Sequence, residues 1–179
     1  MSRARKRSVG NPLHDECFPP IAARNATTLI LGSLPGRKSL QMQQYYAHPQ
    51  NAFWKIVARV FEAEPTLPYA RRVRLLKEHQ IALWDVLAAA ERPGSLDSDI
   101  VTGTAAVNDF GQFFRTHQEI RRVFFNGRKA EQLYQRRVLP TLGVAFQHIE
   151  YRCLPSTSPA HAGMSFAAKL AQWKVIARP

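Results

Sequence analysis

The sequence predicts one α/β domain in which a mostly parallel sheet is covered by helices on both faces. Three observations carry that expectation. A chain of 179 residues falls inside the size range of one domain, and 45% hydrophobic residues supply a core without disulfides or metals. Four short apolar runs alternate with segments of helical periodicity. Such alternation imposes right-handed crossovers, which pack helices against both faces of the sheet.

The elements follow in chain order. Residues 1–17 are expected to form a basic tail, because Arg3, Arg5, Lys6 and Arg7 stand among almost nothing apolar. That tail reads equally as a phosphate-binding arm or as a solvated end. After Phe18-Pro19-Pro20, the run Thr27-Thr28-Leu29-Ile30-Leu31-Gly32 is β-branched and apolar and reads as a buried strand. A loop runs from Ser33 to Pro49. Phe53, Val57, Val60 and Phe61 then recur at helical spacing behind Asn51, a suitable N-cap. The next helix, Tyr69 to His79, sets Tyr69, Val73 and Leu76 on one face. Ile81 to Val86 reads as the second strand. A helix from Asn108 to His117, capped by Asn108, precedes a strand at Arg121 to Phe125 and a turn at Asn126-Gly127. Ala130, Leu133 and Tyr134 mark another helix, and Phe146 to Leu154 reads as the fourth strand. Phe166, Leu170, Trp173 and Ile176 form a closing helix capped near Ser165. No repeat, low-complexity block or linker divides residues 18–179.

The charge balance narrows the partners. With 25 Lys+Arg against 13 Asp+Glu, the net charge of +12 favours a polyanion: DNA, RNA or an anionic membrane surface. No run approaches the ~18 apolar residues of a membrane span, and the N-terminus lacks the apolar stretch of a signal peptide. We therefore expect a cytoplasmic protein without a membrane partner. Cys17 and Cys153 are the only cysteines and lie far apart, which excludes an iron–sulfur cluster held by four cysteines. They read as small buried hydrophobes, and neither a metal nor a cofactor is expected.

Parallel sheets bind ligands beyond the carboxyl ends of their strands. Here those ends lead into the Gly32 to Asn51 loop, Asp85, Asn126-Gly127 and Leu154 to His161. The segment Gly32-Ser33-Leu34-Pro35-Gly36-Arg37-Lys38-Ser39 first invites a P-loop reading. That pattern needs glycine before the lysine, but Arg37 stands there, and Pro35 removes a donor amide. Ile81 to Asp85 looks like a strand ending in a magnesium-holding aspartate, so a P-loop-like NTPase stays open as an alternative. Further along, Gln41, Gln43, Gln44, Tyr45, Tyr46, His48, Gln50 and Asn51 make the loop polar and aromatic, with no Asp or Glu between Ser33 and Phe53. Such a loop suits stacking a base drawn out of a duplex and reading its edges with amides. Packing of the tyrosines over the sheet is the plainer reading.

Gly-Ser-Leu-Pro-Gly at 32–36, Ser39-Leu40, Tyr45-Tyr46, His48-Pro49-Gln50-Asn51-Ala52-Phe53-Trp54, Leu83-Trp84-Asp85-Val86 and Leu154-Pro155-Ser156-Thr157-Ser158-Pro159-Ala160 together resemble the uracil-DNA glycosylase superfamily, most closely its hypoxanthine-DNA (deoxyinosine) glycosylase branch. The resemblance spans most of the chain after residue 18. It implies a three-layer α/β/α fold with a four-stranded, mostly parallel central sheet. The first loop would form the base pocket, and the last loop would enter the DNA where the base leaves. It also shows departures. Leu34 occupies the position where mismatch-specific uracil glycosylases carry a water-orienting asparagine, and Asn51 stands where the hypoxanthine-type enzymes carry theirs. After Ser-Pro-Ala the family pattern continues with asparagine, whereas this chain has His161.

The chemistry so implied is that of a monofunctional glycosylase, which hydrolyses the N-glycosidic bond of a deaminated base and leaves an abasic site. Departure of the base makes the sugar oxocarbenium-like and loads negative charge on the base, which loop amides stabilise. Asn51 is the candidate to orient the water, with helix capping as its plainer role. Asp85 is the second catalytic candidate, against simple strand-end capping. The expected base pocket comprises Gly32, Ser33, Leu34, Pro35, Gly36, Tyr46, Phe53 and Asn126, with Tyr46 stacking on the base. Ser39, Ser156, Thr157, Ser158, Pro159 and His161 are the expected DNA contacts, and turn chemistry is the alternative for the hydroxyls. The expected partner is double- or single-stranded DNA bearing a deaminated base, bound by a monomer. Hypoxanthine is favoured over uracil and xanthine, and a non-catalytic DNA-binding module is the remaining alternative.

Overall fold

The computed structural model describes residues 14–94 and 99–177. The elements are β1 (His14–Glu16), β2 (Thr28–Gly32), α1 (Arg37–Met42), α2 (Phe53–Val60), α3 (Tyr69–Glu78), β3 (Ile81–Asp85), β4 (Leu87–Glu91), β5 (Ala106–Val107), α4 (Phe110–Thr116), β6 (Arg122–Asn126), α5 (Arg128–Arg137), β7 (Glu150–Leu154) and α6 (Phe166–Trp173). Four strands form a sheet in the order β3-β2-β6-β7, and each neighbouring pair is parallel.

Side-chain alternation along these strands builds two cores. Leu29, Leu31, Ala82, Trp84, Val123 and Phe125 pack on one face with Phe110, Phe113 and Phe114 of α4 and Leu133 and Tyr134 of α5. Ile30, Ile81, Leu83 and Phe124 pack on the other with Phe53, Ile56 and Val57 of α2, Leu76 of α3 and Trp173 of α6. Every residue of β2 and β3 is buried, as a parallel sheet covered on both faces requires. The result is the three-layer α/β/α arrangement. Its register sets the strand ends level: Gly32 faces Asp85, Leu31 faces Phe125, and Asn126 faces Leu154. Everything that follows these residues emerges on one edge.

The structure departs from expectation at definable places. Residues expected in the tail, His14–Glu16, pair antiparallel with β4, which pairs in turn with β5 in a second, three-stranded sheet. Arg3, Arg5, Lys6 and Arg7 lie outside the described residues. Strand β4 reads Leu-Ala-Ala-Ala-Glu, a helix-favouring composition that pairing on both sides overrides. Within the expected loop 33–49, α1 forms and ends at Gln43, whose left-handed φ of 53° lets its N–H reach back to Leu40 and Ser39 carbonyls. Helix α4 is capped by Asp109, whose side chain accepts the Gln112 N–H at 2.8 Å, and not by Asn108. Asn108 Nδ2 instead donates to Asp85 O at 2.8 Å. The last strand begins at Glu150, because Val144–Phe146 is a short 3-10 turn. Ser165 caps α6 as expected, accepting the Ala168 N–H at 3.2 Å. Among the described residues no helix is long and apolar enough to cross a membrane.

Candidate active site

A cavity of about 880 Å³ opens at the level carboxyl ends of the sheet. Its walls include Gly32 to Gly36 from the end of β2 onward, Asp85 at the end of β3, Asn126 at the end of β6, and Ser156 to His161 after β7. Asn51 and Tyr46 close it from the long first loop. Arg37, Lys38, His48 and His161 also line it, and Asp85 is the one acidic residue among these lining side chains. The opening is therefore basic, and its floor holds one carboxylate. Among the described residues no group of His, Cys, Asp and Glu is arranged to hold a metal ion.

The first loop is packed tightly against the floor. A Cβ on Gly32 would collide with Asp85 Oδ1 and lie 3.0 Å from Tyr46 Oη, so only glycine permits the approach of these three residues. Leu34 is 5% exposed and belongs to the sheet's core cluster while touching the cavity. Tyr46 adopts a left-handed φ of 52°, and its ring stacks on Phe53 at 4.1 Å between centroids with the planes inclined by 28°. Phe53 is fully buried and does not line the cavity. Its expected place in the pocket is corrected: helix α2 directs it into the core, where it backs Tyr46.

Ser39, expected as a DNA contact, lines the cavity from within the first loop. Its side chain is 6% exposed, and its hydroxyl accepts the Ala47 N–H at 3.2 Å, which folds the loop onto itself. The N-cap position of α2 is held by Ala52, without a side-chain cap, and not by Asn51 as expected. From one residue further out Asn51 Oδ1 accepts the Phe53 N–H at 3.0 Å, the first free N–H of the helix, while the side chain lines the cavity. The two readings of Asn51 are thus geometrically compatible. That bond fixes which end of its amide faces the helix.

Behind Asp85, which is 3% exposed, lies a shell of neutral groups. Cys17 Sγ lies 3.9 Å from Asp85 Oδ2 and 3.8 Å from Tyr45 Oη. Burial, reinforced by the Asp85 charge, pushes the Cys17 thiol up to about 12. Burial and the same carboxylate also push Tyr45 well above the usual phenol range. Both stay protonated across the physiological range.

The last loop is anchored from within. Asn126 Nδ2 donates to Thr157 Oγ1 at 2.9 Å, and Thr157 N–H donates to Asn126 Oδ1 at 2.8 Å. Thr157 lines the cavity but is 1% exposed, and its hydroxyl ties the loop to β6. Ser156 and Ser158 accept backbone N–H groups of Ser158 and Ala160 at 3.2 and 3.3 Å, which is the turn chemistry their alternative reading described. Pro159 and His161 are exposed at the tip. Lys169 of α6 supports that tip, donating from Nζ to His161 O at 2.8 Å, and burial pulls its pKa down.

Two buried residues at this edge escaped the sequence reading. Arg92 is 1% exposed and donates from Nε to Asp15 Oδ2 at 2.8 Å. Lys169 is 6% exposed although α6 was read only for its apolar face. No spacing rule joins Asp15 to Arg92, and a lone lysine on a helix reads as solvent-facing.

The comparisons with known proteins agree with this geometry. Residues 19–177 match the model of the uracil DNA glycosylase superfamily. The chain is 37% identical over 163 residues to a hypoxanthine DNA glycosylase from Methanosarcina acetivorans, covering 90% of this chain and 96% of that protein. It is 38% identical over 114 residues to a hypoxanthine DNA glycosylase from Methanosarcina barkeri, covering 63% of this chain and 71% of that one. Its fold is similar to the solution structure of a uracil DNA glycosylase candidate from Methanosarcina acetivorans, with a TM-score of 0.74 and 32% identity over 92% of this chain and 99% of that one.

Proposed function

Because the chain belongs to the uracil DNA glycosylase superfamily, we propose that it is a monofunctional DNA glycosylase that hydrolyses the N-glycosidic bond of a deaminated base, with hypoxanthine preferred to uracil or xanthine. The observation that carries this reading is the single cavity in which Asn51, Asp85, Tyr46, Asn126 and the Gly32 to Gly36 backbone meet. The preference for hypoxanthine is supported by what the two Methanosarcina relatives are named for.

In this mechanism the extruded base stacks on the Tyr46 ring, whose far side is already backed by Phe53. Charge gathering on the departing base is stabilised by backbone N–H groups of the Gly32 to Gly36 segment, where Pro35 alone lacks one. Asn51, held by its bond to Phe53 N–H, orients the water that adds to the sugar. Asp85 supplies negative charge on the cavity floor, where it stabilises a developing oxocarbenium ion. Basic residues at the opening, Arg37 and Lys38 among them, attract the phosphate backbone, while the exposed Pro159 to His161 tip enters where the base leaves. The proposal has the chain acting as a cytoplasmic monomer on double- or single-stranded DNA.

The test is a panel of duplexes, each with one deoxyinosine, deoxyuridine or deoxyxanthosine, scored for alkali-labile abasic sites in EDTA without nucleotide. Fastest scission at deoxyinosine is expected. Binding without scission at any of the three would favour the non-catalytic module, and a requirement for magnesium and nucleotide would favour the NTPase.

A further inference from the structure

Arg92 lines the cavity although 1% of it is exposed. A buried guanidinium is costly unless its charge is paired and its five N–H donors find acceptors. Asp15 answers the charge, and Pro35 O, within the pocket loop, accepts from Nη2 at 2.5 Å. The third nitrogen, Nη1, has no hydrogen-bond partner among the described residues. Buried donors are almost always satisfied, so this one points to an acceptor that arrives with a ligand. Asp15 already neutralises the cation, which favours a neutral acceptor over a phosphate.

We infer that Arg92 Nη1 is a specificity-determining donor to a carbonyl oxygen of the extruded base. The inference rests on the glycosylase reading above. Its chemistry follows from what deamination does. Adenine and cytosine present an exocyclic amine, which is a donor, whereas hypoxanthine and uracil carry a carbonyl acceptor at the same position. A guanidinium donates only, so it pairs with the carbonyl and meets the amine donor to donor, leaving both unsatisfied in a buried place. Arg92 thus reads the exocyclic group that deamination converts from a donor into an acceptor. It does not reject guanine, which also carries a carbonyl there. The strand β1 contributes through Asp15, which holds the guanidinium beside the pocket loop.

The experiment compares single-turnover base release from two duplexes that differ only in carrying deoxyinosine or deoxynebularine, whose purine lacks the carbonyl. Arg92→Lys keeps a cation beside Asp15 and removes Nη1, and the double variant Asp15→Asn/Arg92→Gln removes both charges together. The intrinsic labilities of the two glycosidic bonds cancel when the inosine-to-nebularine ratio of a variant is divided by that of the wild type. We expect this quotient to fall about 10- to 100-fold, as loss of a hydrogen bond involving a charged group implies. A purely structural Arg92 would slow both substrates alike, and an unchanged quotient overturns the inference. The wild type is decisive even where a variant fails to fold: equal acceleration of both bases over their spontaneous loss overturns the inference as well. Absence of hypoxanthine release by the wild type overturns the glycosylase reading itself and takes this inference with it.

Discussion

Asn126 and Thr157 grip each other twice, through Asn126 Nδ2 to Thr157 Oγ1 at 2.9 Å and Thr157 N–H to Asn126 Oδ1 at 2.8 Å. The contact joins the end of β6 to the loop after β7, and it extends further. Thr157 O accepts the Ala52 N–H at 2.9 Å, so the same residue also fixes the segment that carries Asn51. Three stretches of chain distant in sequence are held in register by one threonine. Gly127, at a φ of 98°, makes room for this junction, since a Cβ there would stand 2.8 Å from Ser156 Cβ.

Thr157→Val tests that junction. Valine matches the shape but leaves Asn126 Nδ2 without its acceptor, at a cost of roughly 1–3 kcal/mol. Urea denaturation should show the loss, while base release should change less, because the backbone bond from Ala52 N–H to the residue 157 carbonyl survives the substitution and keeps the Asn51 segment anchored. Stability within about 0.5 kcal/mol of the wild type, the scatter of ordinary surface substitutions, would mean that the junction carries no weight.

Tyr46 is the predicted platform for the extruded base. Stacking on an aromatic ring is worth roughly 1–3 kcal/mol per base when tested by alanine substitution. Tyr46→Phe keeps the ring and its stack on Phe53, so single-turnover release should remain near the wild-type rate. Tyr46→Ala should lose on the order of 10- to 100-fold. Equal losses in the two variants would assign the effect to the hydroxyl, which approaches Gly32, and not to stacking.

The parallel sheet was legible because Thr28–Gly32 and Ile81–Asp85 are unbroken apolar runs, and burial on both faces needs no other signal. The smaller sheet was not. Asp15 pairs with Ala90 across most of the first half of the chain, and neither β1 nor the alanine-rich β4 carries a strand pattern. The site divides likewise. Strand ends and turn residues placed Gly32, Asp85, Asn126 and the last loop on one edge, since a parallel sheet leaves them nowhere else to go. Which of their side chains face the cavity depends on packing. Phe53 turns inward because α2 directs it into the core, and Thr157, though it lines the cavity, is tied down by Asn126; a motif does not record that choice.

Asn51 carries the sharpest prediction, because its observed bond and its proposed role pull apart under one substitution. Its Oδ1 accepts the Phe53 N–H at 3.0 Å, a bond two residues along the chain that a serine hydroxyl also makes, more weakly. Asn51→Ser should therefore fold with a stability change well below the roughly 1 kcal/mol of a lost cap. The serine hydroxyl lies closer to the backbone and lacks the amide that would reach a water beside the sugar. A positioned polar group of this kind contributes on the order of 10²–10⁴-fold, or roughly 3–5 kcal/mol of barrier. Binding of deoxyinosine duplex should survive, because the basic opening and the Tyr46 platform are untouched, while single-turnover release of hypoxanthine should fall by that factor. Asn51→Ala separates the two contributions, since it loses the bond to the Phe53 N–H and the amide together. It should be about as slow as Asn51→Ser and measurably less stable. A stable Asn51→Ser protein that releases hypoxanthine at the wild-type rate would leave Asn51 as the acceptor of the Phe53 N–H and nothing more.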